Sequence, residues 1–146
     1  MGRVVIDTST LVSAMLRPAS KPRQALLAVV TSHALCVSQS TLAELQVVLQ
    51  RPKFDRYAPL QTRLDFLEVV TKTAHLFEID TASEAASLGA CRDPKDDKFL
   101  ALAIACEAMT LISSDADLLS LQRWRDIAIL SPADFLSSAN QTSSLY

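Results

Sequence analysis

Residues Val4-Val5-Ile6-Asp7-Thr8-Ser9 constrain this chain more than any other stretch. Three β-branched apolar residues run straight into an aspartate. Hydroxyl residues then open a segment in which Leu11, Val12 and Ala14 fall at helical spacing. An unbroken apolar run suits a strand buried on both faces of a parallel sheet. A strand leading at once into a helix is the first half of a β-α-β unit. In open sheets built from such units, sites form just beyond the carboxyl ends of the strands, and Asp7 falls there. The purely local alternative is that Asp7 caps the helix that follows.

The rest of the chain repeats the pattern. Leu11, Val12, Met15 and Leu16 share a helical face that ends at Arg17-Pro18, because proline turns the residue before it away from helix. A second helix restarts at Lys21-Pro22 and runs to about Ser32, and 34–38 reads as a strand. A third helix begins near Ser40 or Thr41, carries Leu42, Leu45, Val48 and Leu49, and stops at Arg51-Pro52. An amphipathic helix covers 60–73, a third strand 75–79 and a short helix 82–88. The charged segment 92–98 opens an apolar helix over 99–108. A fourth strand over 109–113 ends at Ser114-Asp115-Ala116-Asp117, followed by a helical turn over 118–121 and a fifth strand over 127–130. Pro132 to Leu136 starts a last helical turn. Strands alternating with helices of about ten residues predict an α/β fold with a parallel, doubly wound, about five-stranded sheet. One domain is expected over 1–136, with a small, polar, fraying tail over 137–146.

Composition narrows the function. With Gly2 and Gly89 the only glycines, no glycine-rich phosphate loop can be written. A net charge of −2 argues against a general nucleic-acid coat protein, so any such contact is local or helped by a metal ion or by oligomerisation. Cys36, Cys91 and Cys106 show no paired spacing and read as buried or incidental thiols of a reducing compartment. Neither a secretory signal nor an apolar run of membrane-spanning length is seen, so the expected location is cytoplasmic, with no membrane partner.

The acids carry the chemistry. Asp7 and Asp115 follow apolar strands, and Glu44 and Asp96/Asp97 are expected in first turns of helices. All these places lie at one end of a doubly wound sheet. Carboxylates gathered there repel one another unless a cation neutralises them, and carboxylate oxygens are the ligands Mg²⁺ or Mn²⁺ prefers. Such an ion activates water and clamps a phosphoryl oxygen, the chemistry of phosphodiester hydrolysis. Local roles compete: a capping box between Thr41 and Glu44, a helix-dipole preference for Asp96 and Asp97, and N-caps for Asp115 and Asp117. Helical phase puts Asp96 on the stripe of Leu100 and Ala103, which favours it over Asp97 as the acid that faces the sheet.

Val5-Ile6-Asp7-Thr8-Ser9, the Glu44 segment 40–45, the segment 92–103 and 111–119 come in the order and approximate spacing of a PIN domain. The chain resembles most the branch of toxins of toxin–antitoxin systems, relatives of the VapC-like ribonucleases, over nearly its whole length. That resemblance implies a three-layer α/β/α fold and Mg²⁺- or Mn²⁺-dependent endonucleolytic cleavage of RNA. It implies Asp7, Glu44, Asp96 and Asp115 as the acidic quartet, with Asp117 a further metal ligand and Asp93 and Asp97 secondary acids. Ser9 stands where many relatives carry asparagine. The resemblance also implies a homodimer and a cognate antitoxin that covers the site.

Arg92, Lys95 and Lys98 flank the acids as candidate RNA contacts, with Arg17, Lys21 and Arg23 expected near the same end. Thr8, Ser9 and Ser113 are candidate hydrogen-bond partners of the carboxylates. His33 and His75 have no ligand spacing, and Trp124 reads as a partly buried anchor or interface residue more readily than as a base-stacking ring. A haloacid-dehalogenase-type phosphatase would need an aspartate at the position of Ser9. The alternative of a different class is a PIN-like domain that binds RNA or protein without catalysis.

Overall fold

A computed structural model of the chain describes residues 2–144, with side chains as far as Ser138. The elements run β1 Arg3–Ile6, α1 Thr8–Leu16, α2 Lys21–Ser32, β2 Ala34–Val37, α3 Gln39–Leu49, α4 Leu60–Thr73, β3 His75–Leu76, α5 Thr81–Ser87, α6 Asp97–Ala105, β4 Thr110–Ile112, α7 Ala116–Leu119, β5 Arg123–Trp124, β6 Ile127–Leu130 and α8 Pro132–Ser144. Two 3₁₀ turns, Pro52–Phe54 and Pro94–Asp96, precede α4 and α6.

The sheet has the order β3-β2-β1-β4-β6-β5. Every pairing is parallel except that of β5 with β6. From β1 the chain winds outward to β2 and β3, then returns to the other side of β1 and builds β4 and β6. The direction of winding reverses between β1 and β4, and a crevice opens at such a reversal, beyond the carboxyl ends of the strands.

Alternation along the strands separates two cores. Val4, Ile6, Leu35 and Ile112 pack with α1, α2, α3 and Phe135 of α8 on one face. Val5, Cys36, Leu111, Ile127 and Ile129 pack with α6 on the other. This is the expected three-layer α/β/α arrangement, and it explains why β1 shows no polar face. All three cysteines are free and buried. No described helix is long and apolar enough to cross a membrane.

The boundaries differ from expectation most in four places, besides α6, which runs Asp97–Ala105 where 99–108 was expected. The third strand is two exposed residues instead of five. The antiparallel β5 was not expected, and it forms a hairpin with β6 whose turn places Arg125 at φ 56°. A left-handed turn residue is normally flagged by Gly or Asn, and neither is there. Helix α3 starts at Gln39, because Ser38 caps it: the Ser38 hydroxyl accepts the Thr41 N–H, and the Thr41 hydroxyl accepts the Ser38 N–H. Helix α8 runs on to Ser144 where one turn and a fraying tail were expected; Phe135 anchors its start in the core, its ring centroid 5.9 Å from that of His33 in an edge-on arrangement. Residues 145–146 of that expected tail lie outside the described residues.

Candidate active site

Asp7 ends β1 and is 3% exposed. Its local reading holds, and the same carboxylate also reaches the end of β4. Its Oδ1 accepts the Thr10 N–H at 3.0 Å and the Ser9 hydroxyl at 3.4 Å, capping α1. Its Oδ2 accepts the Ser113 hydroxyl at 2.5 Å. Ser113 in turn accepts the Asp115 N–H at 2.9 Å, so one hydroxyl ties the ends of β1 and β4 together. Burial raises the Asp7 pKa against these hydrogen bonds, and the Asp115 charge adds to the rise.

Asp115 caps α7, its Oδ1 accepting the N–H groups of Asp117 at 2.7 Å and Leu118 at 3.3 Å. Asp117 is half-buried beside it in the first turn.

Asp96 closes the 3₁₀ turn ahead of α6 and is buried. Its carboxyl is pushed up to about 6, first by burial and then by the charges of Asp115, Asp93 and Asp7. The Cys91 thiol donates to its Oδ2 at 3.8 Å. Asp96 therefore shares the crevice with Asp7 and Asp115. Asp97 turns toward α5 instead. Its Oδ2 accepts the Gly89 N–H at 3.2 Å, and its Oδ1 is buried with no hydrogen-bond partner. Asp93 is half-buried and caps its own turn through the Lys95 N–H at 3.0 Å.

Glu44 lies in the second turn of α3, not the first, because the helix starts at Gln39. The capping box expected between Thr41 and Glu44 is formed by Ser38 and Thr41 one turn earlier, so Glu44 is free for other partners. Its Oε2 accepts the Thr8 hydroxyl at 3.0 Å and pairs with Lys98 Nζ at 3.3 Å. The first contact joins Glu44 to the residue after Asp7.

Of the expected cations, Arg92 and Lys95 are exposed, whereas Lys98 is held by Glu44. Arg17, Lys21 and Arg23 are not at the acid end. Helix α1 leaves that end at Thr8 and is nine residues long, so its far terminus, where Arg17 caps it, is remote. Arg23 is spent on the Ala14 and Met15 carbonyls at 2.6 and 3.4 Å.

The sequence reading passed over Cys91 as an incidental thiol and set Lys98 on RNA; it expected Thr8 on a carboxylate, and in the structure that carboxylate is Glu44.

The carboxylates do not close into a finished cage. Among the described residues no three His, Cys, Asp or Glu side chains converge tightly enough to hold an ion. Like charges with no counterion separate in this way. The donor chemistry nonetheless suits a hard divalent cation, since the gathered groups are carboxylates, the charges of Asp115 and Asp7 raise Asp96, and Lys98 is engaged by Glu44.

A family model described as the PIN domain matches residues 3–117. Protein MJ1680 of Methanocaldococcus jannaschii is 29% identical over 121 residues, 82% of this chain and 75% of that protein. Among solved structures, the DNA-bound VapBC of Salmonella typhimurium is similar at TM-score 0.62 and 19% identity, covering 90% of this chain and 99% of that one. VapBC2 of Rickettsia felis, bound to a promoter DNA fragment, is similar at TM-score 0.62 and 15% identity, covering 87% and 96%. VapC20 of Mycobacterium tuberculosis, a toxin that cleaves the sarcin–ricin loop, is similar at TM-score 0.56 and 10% identity, covering 86% and 98%.

Proposed function

The chain belongs to the PIN-domain family, and from that premise we propose that it is a divalent-metal-dependent endoribonuclease, the toxin of a toxin–antitoxin pair. The observation that carries this reading is Asp96, whose carboxyl is pushed to about 6 by burial and by three neighbouring acids at the reversal point of the sheet. A protein gains nothing in stability from such a grouping, whereas a cation bound there relieves it.

In this reading Asp7, Asp96 and Asp115 hold Mg²⁺ or Mn²⁺, with Asp117 as a further ligand. When bound, the ion lowers the pKa of water in its shell and offsets charge on the scissile phosphate. The Ser113 and Thr10 donors fix the orientation of Asp7. Glu44, steadied by Thr8 and Lys98, orients the attacking water and accepts its proton. Arg92 and Lys95 are exposed on the turn that carries Asp96 and contact phosphates. A cognate antitoxin is proposed because two similar structures are VapBC assemblies. A homodimer and a cytoplasmic location complete the reading.

The test is cleavage of a mixed RNA panel by purified protein in Mg²⁺, Mn²⁺ or EDTA, beside Asp7→Asn and Asp96→Asn. Cleavage that requires metal and both aspartates is the expected result. Cleavage by Asp7→Asn at the wild-type rate would overturn the site. No cleavage in any condition, with no metal binding by calorimetry, would leave a binding module in place of a nuclease.

A further inference from the structure

The segment between α3 and α4 has a role that the acid site does not explain. It reads Arg51-Pro52-Lys53-Phe54-Asp55-Arg56-Tyr57, cations interleaved with aromatic rings, in a chain with more acids than bases. Arg51, Lys53, Arg56 and Tyr57 are exposed, Tyr57 at 60%. None of the three cations is in an ion pair among the described residues.

The one acid of the segment is neutralised from inside. Arg63 of α4 is 0% exposed and donates to the Asp55 carboxylate. The same guanidinium donates to the carbonyls of Leu49 at 2.7 Å, Arg51 at 3.2 Å and Ala58 at 3.1 Å. A fork of fixed donors thus clamps both ends of the segment and removes its negative charge. What remains on the outside is a preorganised set of cations and rings.

A groove of about 360 Å³ separates this segment from α1, and every residue lining it is neutral or basic. Its basic wall is Arg17, Arg51 and Lys53, with Phe54 and Tyr57 beside them and Ser9 at the other end. Ser9 hydrogen-bonds Asp7, so this end of the groove lies one side chain away from the acids. From Ser9 to Arg17 it follows α1 for about 12 Å, at 1.5 Å per residue. Arg17, remote from the acids, thereby has a place on a track that leads to them.

We propose that this groove carries the single-stranded RNA on one side of the scissile phosphate, with Arg17, Arg51 and Lys53 on the backbone and Tyr57 stacking a base. The proposal rests on the nuclease reading for its purpose but not for its test. Positive grooves with interleaved aromatic rings are the general means of holding single strands. An acidic peptide would use the cations alone, whereas Tyr57, 60% exposed with the Arg56 guanidinium 5.2 Å from its ring centroid, presents a cation-backed ring on which a base can stack, and that decides between the two occupants.

The experiment is fluorescence anisotropy with a fluorescein-labelled twelve-nucleotide oligouridine in EDTA, across a salt series. The full chain is compared with Arg51→Ala/Lys53→Ala, Lys53→Glu, Tyr57→Ala and, as a control in the last turn of α4, Lys72→Ala. The double variant is expected to bind about ten-fold more weakly and to lower the slope of log affinity against log salt by about 1.4, at about 0.7 per phosphate contact. Tyr57→Ala is expected to weaken binding about five-fold or more with the slope unchanged. Lys72→Ala binds as wild type. Lys53→Glu keeps an exposed side chain of similar length, so its loss of binding at an unchanged melting temperature excludes misfolding. Wild-type affinity and slope in the variants would overturn the proposal. So would failure of the wild type to bind the RNA while it binds a glutamate-rich peptide through Lys53. RNA binding through the groove, with no cleavage of the mixed RNA panel and no metal binding by calorimetry, would instead refute the nuclease reading and leave the groove standing.

Discussion

Burial and three neighbouring carboxylates push the Asp96 carboxyl to about 6, against an ordinary value near 4. Asp7 shifts in the same direction. For an acid raised in the folded state, the folded chain binds more protons than the unfolded one between those two values. Stability of the metal-free protein therefore falls as pH rises from about 4 to 6, and the loss is complete above that window. Asp115→Asn keeps the acceptor that caps α7 and removes the largest charge acting on Asp96. In EDTA it should melt about 2–4 °C above wild type at pH 7.5, about 1 kcal/mol in a chain of this size. At pH 5, with Asp96 already protonated, the gain should be smaller. Equal destabilisation at both pH values would remove the repulsion argument. Ser113→Ala deletes the donor to Asp7 and the acceptor of the Asp115 N–H. A hydrogen bond to a buried charge is worth about 1.5–3 kcal/mol, and the urea midpoint should fall accordingly, while Ser120→Ala on the surface should not move it. At this scale Asp7, Asp96 and Asp115 were legible, because each sits where a strand ends or an apolar helix begins. The pairing of Lys98 with Glu44 was not, and Thr8 was legible only as a partner of some carboxylate, since both are brought to Glu44 by the packing of α1 and α6 against α3, which no local pattern encodes.

Elements are held by side chains that look unremarkable in the sequence. Arg63 sits in the first turn of an amphipathic helix and reads as a surface residue, yet it is wholly buried on three carbonyls and Asp55. Arg63→Ala should cost about 3 kcal/mol, at about 1 kcal/mol for each lost carbonyl bond, read from urea unfolding. Trypsin should then cut native protein after Lys53 or Arg56 faster than it cuts wild type at the same bonds. Arg63→Lys should not restore resistance, because an ammonium cannot span the fork of acceptors. A connection as resistant in Arg63→Ala as in wild type would show that the clamp does not order it. The long periodic helices α2 and α4 were legible to the residue, with Ser20 capping the first and Pro59 preceding the second. The hairpin of β5 and β6 was not, because Arg125 adopts its left-handed turn without the glycine that would announce it. Nor was the length of α8, whose small polar residues have no periodicity and whose start depends on Phe135 reaching the core.

The whole molecule brings its acids from both wings of the sheet. Asp7 and Glu44 belong to the wing of β1, β2 and β3, and Asp96 and Asp115 to that of β4 and β6. The winding reversal between β1 and β4 follows from the alternating strands and helices only once the strand order is known, so the sequence could indicate the end of the sheet but not the crevice. An ion held across that reversal would join the two wings, and binding the folded state alone raises stability by RT ln(1 + [L]/Kd). For Mg²⁺ at ten times a Kd of about 1 mM that is about 1.4 kcal/mol, or roughly 3–6 °C in melting temperature. The rise should saturate with Mg²⁺ at pH 7.5. It should shrink at pH 5, where protons compete for Asp96, and vanish in Asp7→Asn. Sodium chloride at matched ionic strength relieves the repulsion only by screening, so it should give a smaller, non-saturating rise that survives in Asp7→Asn. If magnesium and sodium gave the same curve, the acids would be sensing ionic strength alone, and the site would have no claim on a bound metal.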